Sequence, residues 1–118
     1  MSYDISLVSP YSKEVLQLPE KHDLKGGTYA LGGTNVAELN VTYNYSKHFS
    51  RVLGEMGIRV IYGMSGGESI PLLEQAIKKL DTNISEDYWE ATEGNARKAL
   101  EDLLWLAKQC PDGIWDGD

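Results

Sequence analysis

The stretch TEGNARKALEDLLWLAKQ, residues 92–109, decides how the C-terminal third of the chain folds. Its apolar residues recur three and four positions apart, which is the spacing of one face of an α-helix. These residues are Ala96, Ala99, Leu100, Leu103, Leu106 and Ala107, with Cys110 just beyond them. The helix is predicted to begin near Thr92 or Asn95 and to run to about Gln109, because Pro111 cannot continue it.

Two further helical patterns precede this stretch. Ser46 is predicted to cap a helix that runs to Met56, with Gly57 as the residue that ends it. Ser69 is predicted to cap a second helix that carries Pro71 in its first turn, where a missing backbone N–H is tolerated.

The first half of the chain contains the short apolar runs that are typical of strands. Residues 5–18 are predicted to form a β-hairpin with its turn at residues 9–13, where proline and serine occur. Residues 28–43 are predicted to form a second hairpin around residues 32–35, which begin with two glycines.

Together these elements predict an α+β fold in a single domain, residues 1–118. A small antiparallel β-sheet from residues 1–45 is expected to pack against three helices from residues 46–110. The length suits one domain, and the content of 42% apolar and 25% charged residues is close to the globular average.

The net charge of −7 is unevenly distributed along the chain. Residues 1–80 contain eight acidic and eight basic residues, whereas residues 81–118 contain ten acidic and three basic residues. Because this negative field repels phosphates, direct binding of nucleic acid is not expected. The field would attract a protein with a basic surface. The alternative is a hydrated face that only keeps the protein in solution.

The cysteine content and the lack of a signal-peptide pattern favour a cytoplasmic location. Cys110 is the only cysteine, so no internal disulfide can form, as expected in a reducing compartment. The N-terminus lacks the pattern of a signal peptide, and no apolar run is long enough to cross a membrane. No association with a membrane is expected.

Candidate protein-binding residues are the acidic and aromatic side chains of the C-terminal third. They are Glu86, Asp87, Trp89, Glu90, Glu93, Asp112, Trp115 and Asp116. Trp115, which has acidic neighbours, resembles an anchor for a basic and partly apolar groove. In the alternative, the tail folds back and packs Ile114 and Trp115 onto the core.

Candidate ligand-binding residues lie before, on and directly after a predicted strand at residues 37–44. In this strand Leu39, Val41 and Tyr43 would face one side. The other side would carry Glu38, Asn40, Thr42 and Asn44. The candidates are Tyr29, Gly32, Gly33, Asn40, Thr42, Asn44 and Tyr45. A row of amide and hydroxyl groups can bind a small polar ligand, although an ordinary solvent-facing sheet surface has the same pattern.

No motif indicates an enzyme, a cofactor or a metal. The glycine-containing segment 63–69 precedes a predicted helix, whose N–H groups could hold a phosphorylated ligand. It lacks the lysine and the spacing of a P-loop, and Glu68 places a negative charge there. His22 and His48 have no companions at metal-ligand spacing, and Cys110 lies on an apolar helix stripe. We therefore expect no catalytic residue, no cofactor and no metal.

Four segments resemble small uncharacterised proteins of phages and prophages, a group with no assigned activity. They are GTYALGG at residues 27–33, LNVTYNYS at 39–46, ATEGNA at 91–96 and PDGIW at 111–115. The resemblance implies that the chain binds and blocks a host factor or sequesters a host signalling molecule.

The leading hypothesis is a non-enzymatic inhibitor or anti-defence protein that engages a basic host protein through region 81–118. A module that sequesters a small, nucleotide-like ligand is the first alternative. An immunity protein that neutralises a bacterial toxin is the second. The oligomeric state is left open by the sequence.

Overall fold

A computed structural model of the chain describes residues 2–22, 34–87 and 90–118, and these contain strands and helices of an α+β fold. The elements in chain order are β1 Ser2–Val8, β2 Gln17–His22, β3 Thr34–Val36, β4 Glu38–Thr42, α1 Ser46–Leu53, α2 Gly66–Lys78, α3 Glu93–Gln109 and β5 Ile114–Gly117. The strands lie mostly in the N-terminal part and the helices mostly in the C-terminal part, so the predicted fold class is confirmed.

A three-stranded antiparallel sheet of order β4-β1-β5 holds the two ends of the described chain together. In it Tyr3 lies opposite Val41, and Leu7 lies opposite Trp115. Strands β2 and β3 form a second, two-stranded antiparallel sheet. The two sheets meet where the Leu16 N–H donates to the Leu7 carbonyl and the Ala37 N–H donates to the Leu16 carbonyl, each at 2.9 Å.

The predicted hairpins are only partly correct. At the first turn Val8 and Val15 form an isolated antiparallel bridge, but β2 then diverges from β1 and pairs with β3. At the second, Thr34 and Asn35 lie in strand β3 and not in a turn. The predicted strand at residues 28–31 and the glycines at 32–33 lie outside the described residues. Backbone propensity could not reveal that β1, already near β2 in sequence, pairs with β4 and β5 instead.

Helix α3 is observed where the sequence predicts it, from Glu93 to Gln109. The Thr92 hydroxyl accepts a hydrogen bond from the Asn95 N–H at 3.0 Å, which satisfies one of the unpaired donors at the start of the helix. The predicted apolar stripe from Ala96 to Ala107 is buried, and Cys110 is half-buried. This stripe packs mainly against α2 and forms the centre of the core.

Helices α1 and α2 differ from their predicted limits. Helix α1 ends at Leu53, three residues early, because Gly54 adopts a φ of 100° that is unfavourable for residues with a side chain. Helix α2 is capped by Ser65 and not by Ser69. It therefore starts at Gly66, and Pro71 lies beyond the first turn. Ser69 is buried instead.

The C-terminal segment folds back onto the core. Trp115 is 1% exposed, and its indole N–H donates to the Ser69 hydroxyl at 2.8 Å. The backbone of Trp115 also exchanges hydrogen bonds with Gly63 and Met64, both at 2.9 Å. The interpretation of Trp115 as an exposed anchor is therefore wrong, and the alternative of a tail packed on the core is confirmed. Within the described ranges, no helix combines the length and apolar character needed to cross a membrane.

Candidate functional site

The strongest candidate for a functional surface is the acidic loop, which we define as residues 81–92 between α2 and α3. Of its described residues, Asp81, Glu86, Asp87 and Glu90 are exposed acids. Ile84 is an exposed apolar residue among them, with 64% of its surface accessible. Tyr88 and the candidate residue Trp89 lie outside the described residues. The described part of the loop thus has exposed acidic residues on both sides of an exposed apolar residue in the sequence.

The buried Asn95 side chain fixes the shape of the acidic loop. Its Oδ1 accepts a hydrogen bond from the Ser85 N–H at 3.0 Å. Its Nδ2 donates to the Asp87 carbonyl at 3.0 Å and to the Glu90 carbonyl at 2.9 Å. One amide side chain in the first turn of α3 therefore bonds to three backbone groups of the loop. Two of these groups, the Asp87 and Glu90 carbonyls, also accept from the backbone N–H groups of Glu90 and Thr92.

Further hydrogen bonds attach both ends of the acidic loop to helices. The Gly94 N–H donates to Asn83 Oδ1 at 3.1 Å, and the His48 Nε2–H of α1 donates to the Ala91 carbonyl at 2.8 Å. Gly94 is required for this packing, because a Cβ at this position would lie 2.5 Å from the backbone of Asn83 and Ile84. The loop is irregular but is held against the first turn of α3.

The predicted site residue Glu93 belongs to the base of the acidic loop and not to its exposed rim. Its Oε1 accepts hydrogen bonds from Arg51 Nη2 at 2.6 Å and from the Asp81 N–H at 3.3 Å. These contacts link α1, the start of the loop and α3. Glu93 therefore positions the loop and is less available to a partner.

The acidic residues of the C-terminal third do not form one continuous face. Glu93, Glu101, Asp102 and Asp118 form ion pairs with Arg51, Arg97, Lys98 and Arg59 respectively. None of these four ion pairs, which are those found in the described ranges, involves Glu86 or Glu90. The predicted residues Asp112 and Asp116 lie beyond the C-terminal end of α3. The 17 residues of α3 span roughly 25 Å and separate them from the acidic loop.

Asp112 instead lines a separate open groove of about 590 Å³. The groove lies between the turn at residues 9–11, the start of β2 at residues 16–17, and residues 109–113. Cys110 contributes to its wall, and partial burial raises the pKa of that thiol, which keeps it protonated at neutral pH. Sequence patterns gave no sign of this groove, because three distant segments form it.

The predicted polar ligand-binding face is not assembled as expected. Strand β4 ends at Thr42, which is 1% exposed, and Tyr45 is completely buried against Phe49. Asn40 donates hydrogen bonds to the neighbouring strand β1, at 2.8 Å to Ser2 Oγ and 2.5 Å to Asp4 Oδ1. Asn44 is exposed but belongs to a short 3₁₀ helix, residues Tyr43–Tyr45, so it does not continue the strand alternation. Tyr29, Gly32 and Gly33 lie outside the described residues.

The start of α2 does not offer its backbone N–H groups to a phosphorylated ligand. The N–H groups of Gly66 and Gly67 donate to the carbonyls of Gly113 and Pro111, at 2.8 and 2.9 Å. Ser65 and Glu68 exchange backbone-to-side-chain hydrogen bonds of 3.0 Å, which lower the pKa of the Glu68 carboxyl. All the donors that a helix start normally leaves unpaired are therefore satisfied within the protein.

Comparisons of the chain with protein-family models, with curated proteins and with solved structures found no match. The resemblance to phage proteins therefore stays a prediction. In the part of the chain that the structure describes, no cluster of three or more histidine, cysteine or carboxylate side chains could hold a metal ion. The acidic loop is left as the feature whose geometry and charge most clearly suit binding.

Proposed function

We propose that the chain is a binding protein that docks onto a basic protein surface through the acidic loop. The observation that carries this proposal is the set of exposed acidic residues on a loop whose backbone is hydrogen-bonded to Asn95. Lysine and arginine side chains of a partner would be attracted to this set. Charge complementarity of this kind accelerates association and selects the partner.

The composition of the acidic loop supports a protein partner over a small ion. Ile84 is exposed at its centre, and burial of an apolar side chain of this size contributes about 1.5–3 kcal/mol when it enters a pocket. An apolar contact surrounded by charged residues has the arrangement of a protein interface, with a desolvated centre and a polar rim.

The fixed shape of the acidic loop also favours affinity. A loop that is ordered before binding loses less conformational entropy when the complex forms. The Asn83 side chain, the Ser85 N–H and the carbonyls of Asp87 and Glu90 are all hydrogen-bonded to the first turn of α3. The partner would therefore meet a surface that is already shaped.

The more specific proposal is an inhibitor or anti-defence role against a host protein. Its support is the sequence resemblance to phage proteins, together with a surface that suits binding and needs no catalytic group. A protein that acts by covering a basic site on its target would use a surface of this kind.

The proposal is tested with an arginine- and leucine-containing probe peptide and three forms of the chain. In the first variant, Glu86→Gln, Asp87→Asn and Glu90→Gln remove three charges from the acidic loop. In the matched control, Glu14→Gln, Glu20→Gln and Glu55→Gln remove three exposed charges elsewhere. Both variants change the net charge from −7 to −4.

Calorimetric titration at low and high salt measures the affinities. We expect the loop variant to bind the probe roughly tenfold more weakly than the control, because a local charge pattern contributes more than net charge. The affinity of the unmodified chain is expected to fall as salt screens the charges. Equal affinities of the two variants would contradict docking through this loop.

A further inference from the structure

An arginine packed against two tyrosine rings, whose centroids lie 4.4 Å from each other, is far in sequence from the acidic loop. The guanidinium carbon of Arg59 lies 5.1 Å from the ring centroid of Tyr3 and 5.8 Å from that of Tyr43. Its Nη2 also donates to the Tyr43 hydroxyl at 3.3 Å. Stacking on aromatic rings fixes the plane of a guanidinium and reduces the entropy that it loses on binding an anion.

The carboxylate of Asp118 occupies the open edge of this arginine. Arg59 Nε donates to Asp118 Oδ1 at 3.1 Å and to Oδ2 at 2.9 Å. The Tyr62 hydroxyl donates to the same Oδ1 at 3.1 Å. Arg59 and Tyr62, which follow α1 in the chain, therefore both donate hydrogen bonds to one carboxylate.

The contact with Asp118 is arranged so that another carboxylate can displace it. The side chains of Arg59 and Asp118 are 42% and 45% exposed, and ion pairs this exposed contribute little to stability. Asp118 has a φ of 80°, a conformation that residues with a side chain adopt at some cost. Gly117 crosses the Tyr62 ring so closely that a Cβ there would lie 2.2 Å from its Cζ atom.

We propose that Arg59 and Tyr62, supported by Tyr3 and Tyr43, form a binding site for a carboxylate, and that Asp118 is its internal occupant. A carboxylate ligand from outside the protein competes with Asp118 for the same donors. The observations behind this site are independent of the acidic loop. The site is positively charged, through Arg59, whereas the acidic loop is negatively charged. It provides the chain with a second recognition surface for an acidic group.

The test removes the internal carboxylate and measures binding of acetate. Asp118→Gly suits the positive φ and deletes the side-chain carboxylate. The NMR signal of the Arg59 Nε–H group is followed during titration with acetate and, separately, with inorganic phosphate. The double variant Asp118→Gly/Arg59→Gln, followed through backbone amides, is the control.

We expect acetate to bind the Asp118→Gly protein about fivefold more tightly than the unmodified chain, because an exposed internal carboxylate is a weak competitor. We expect the double variant to lose saturable binding. Absence of saturable acetate binding to Asp118→Gly, or unchanged binding after Arg59→Gln, would overturn the site. Tighter binding of phosphate than of acetate would overturn the assignment to carboxylates.

Discussion

At the scale of single residues, Asp102 is a buried carboxylate whose hydrogen bonding is incomplete. It is 3% exposed in the middle of α3, and its Oδ1 accepts a hydrogen bond from Lys98 one turn earlier. Its Oδ2 is buried without a hydrogen-bond partner. Burial raises the pKa of this carboxyl, although the lysine opposes the shift. A charge in this position costs folding free energy that a neutral side chain would not.

The raised pKa of Asp102 predicts how the contribution of this carboxyl to the free energy of unfolding depends on pH. The folded protein binds the proton more tightly than the unfolded chain, so the stabilisation from the protonated form is present below the unfolded pKa. It is lost as the pH rises through the folded pKa. Asp102→Asn should therefore gain stability relative to the unmodified chain as the pH rises above the ordinary aspartate pKa of about 4 and through the raised pKa of the folded state.

Urea unfolding at several pH values measures this difference. Glu101→Gln is the control, because that neighbouring acid is exposed and forms an ion pair on the helix surface. A stability difference between the Asp102→Asn protein and the unmodified chain that stays constant with pH would show that the carboxyl does not titrate abnormally.

At the scale of elements, the acidic loop and the first turn of α3 form one unit. Asn95 supplies the hydrogen bonds, and Gly94 permits the close approach of the two backbones. Both residues belong to a regular helix, yet their main role is to hold the irregular segment before it. The order of the loop therefore depends on residues outside it.

Gly94→Ala is predicted to destabilise the protein, although alanine is normally favoured over glycine in a helix by about 1 kcal/mol. The new methyl group would overlap the backbone of Asn83 and Ile84, and overpacking of this kind costs about 1–3 kcal/mol. Hydrogen exchange should also show faster exchange at residues 83–87 than in the unmodified chain.

Gly67→Ala is a matched control, because Gly67 is likewise the second residue of its helix. Its nearest neighbours would lie 3.4 and 3.7 Å from a new Cβ, which is ordinary contact. This variant is expected to be as stable as the unmodified chain or more so. Equal stability of the two alanine variants would show that the close approach at Gly94 is not important.

The elements also show which parts of the fold a sequence can reveal. Helix α3 was predicted nearly to the residue, because its periodic stripe and Thr92 cap are local signals. The partners of β1 were missed, since pairing with β4 and β5 joins residues far apart in sequence. Trp115 gave no local sign of its buried hydrogen bond to Ser69. The Asn95 contacts were missed for the same reason, although the residue was recognised as a possible helix start.

At the scale of the whole molecule, helix α3 separates the excess negative charge into groups at its two ends. Within residues 2–22, 34–87 and 90–118, ion pairs are found for four of the ten acids of the C-terminal third. The acidic loop lies at one end of the helix, and Asp112 and Asp116 lie beyond the other. Charge counting along the sequence indicated the correct third of the chain but could not separate these groups. The acidic loop combines several exposed carboxylates with an exposed apolar residue.

The most direct measurement is a map of backbone amide chemical shifts while the arginine- and leucine-containing probe peptide is added. We predict that the largest shifts occur at residues 81–92 and the adjoining first turn of α3, and that they weaken together as salt is added. Shifts centred on residues 112–118, or spread evenly over the exposed carboxylates of the chain, would contradict docking through the acidic loop.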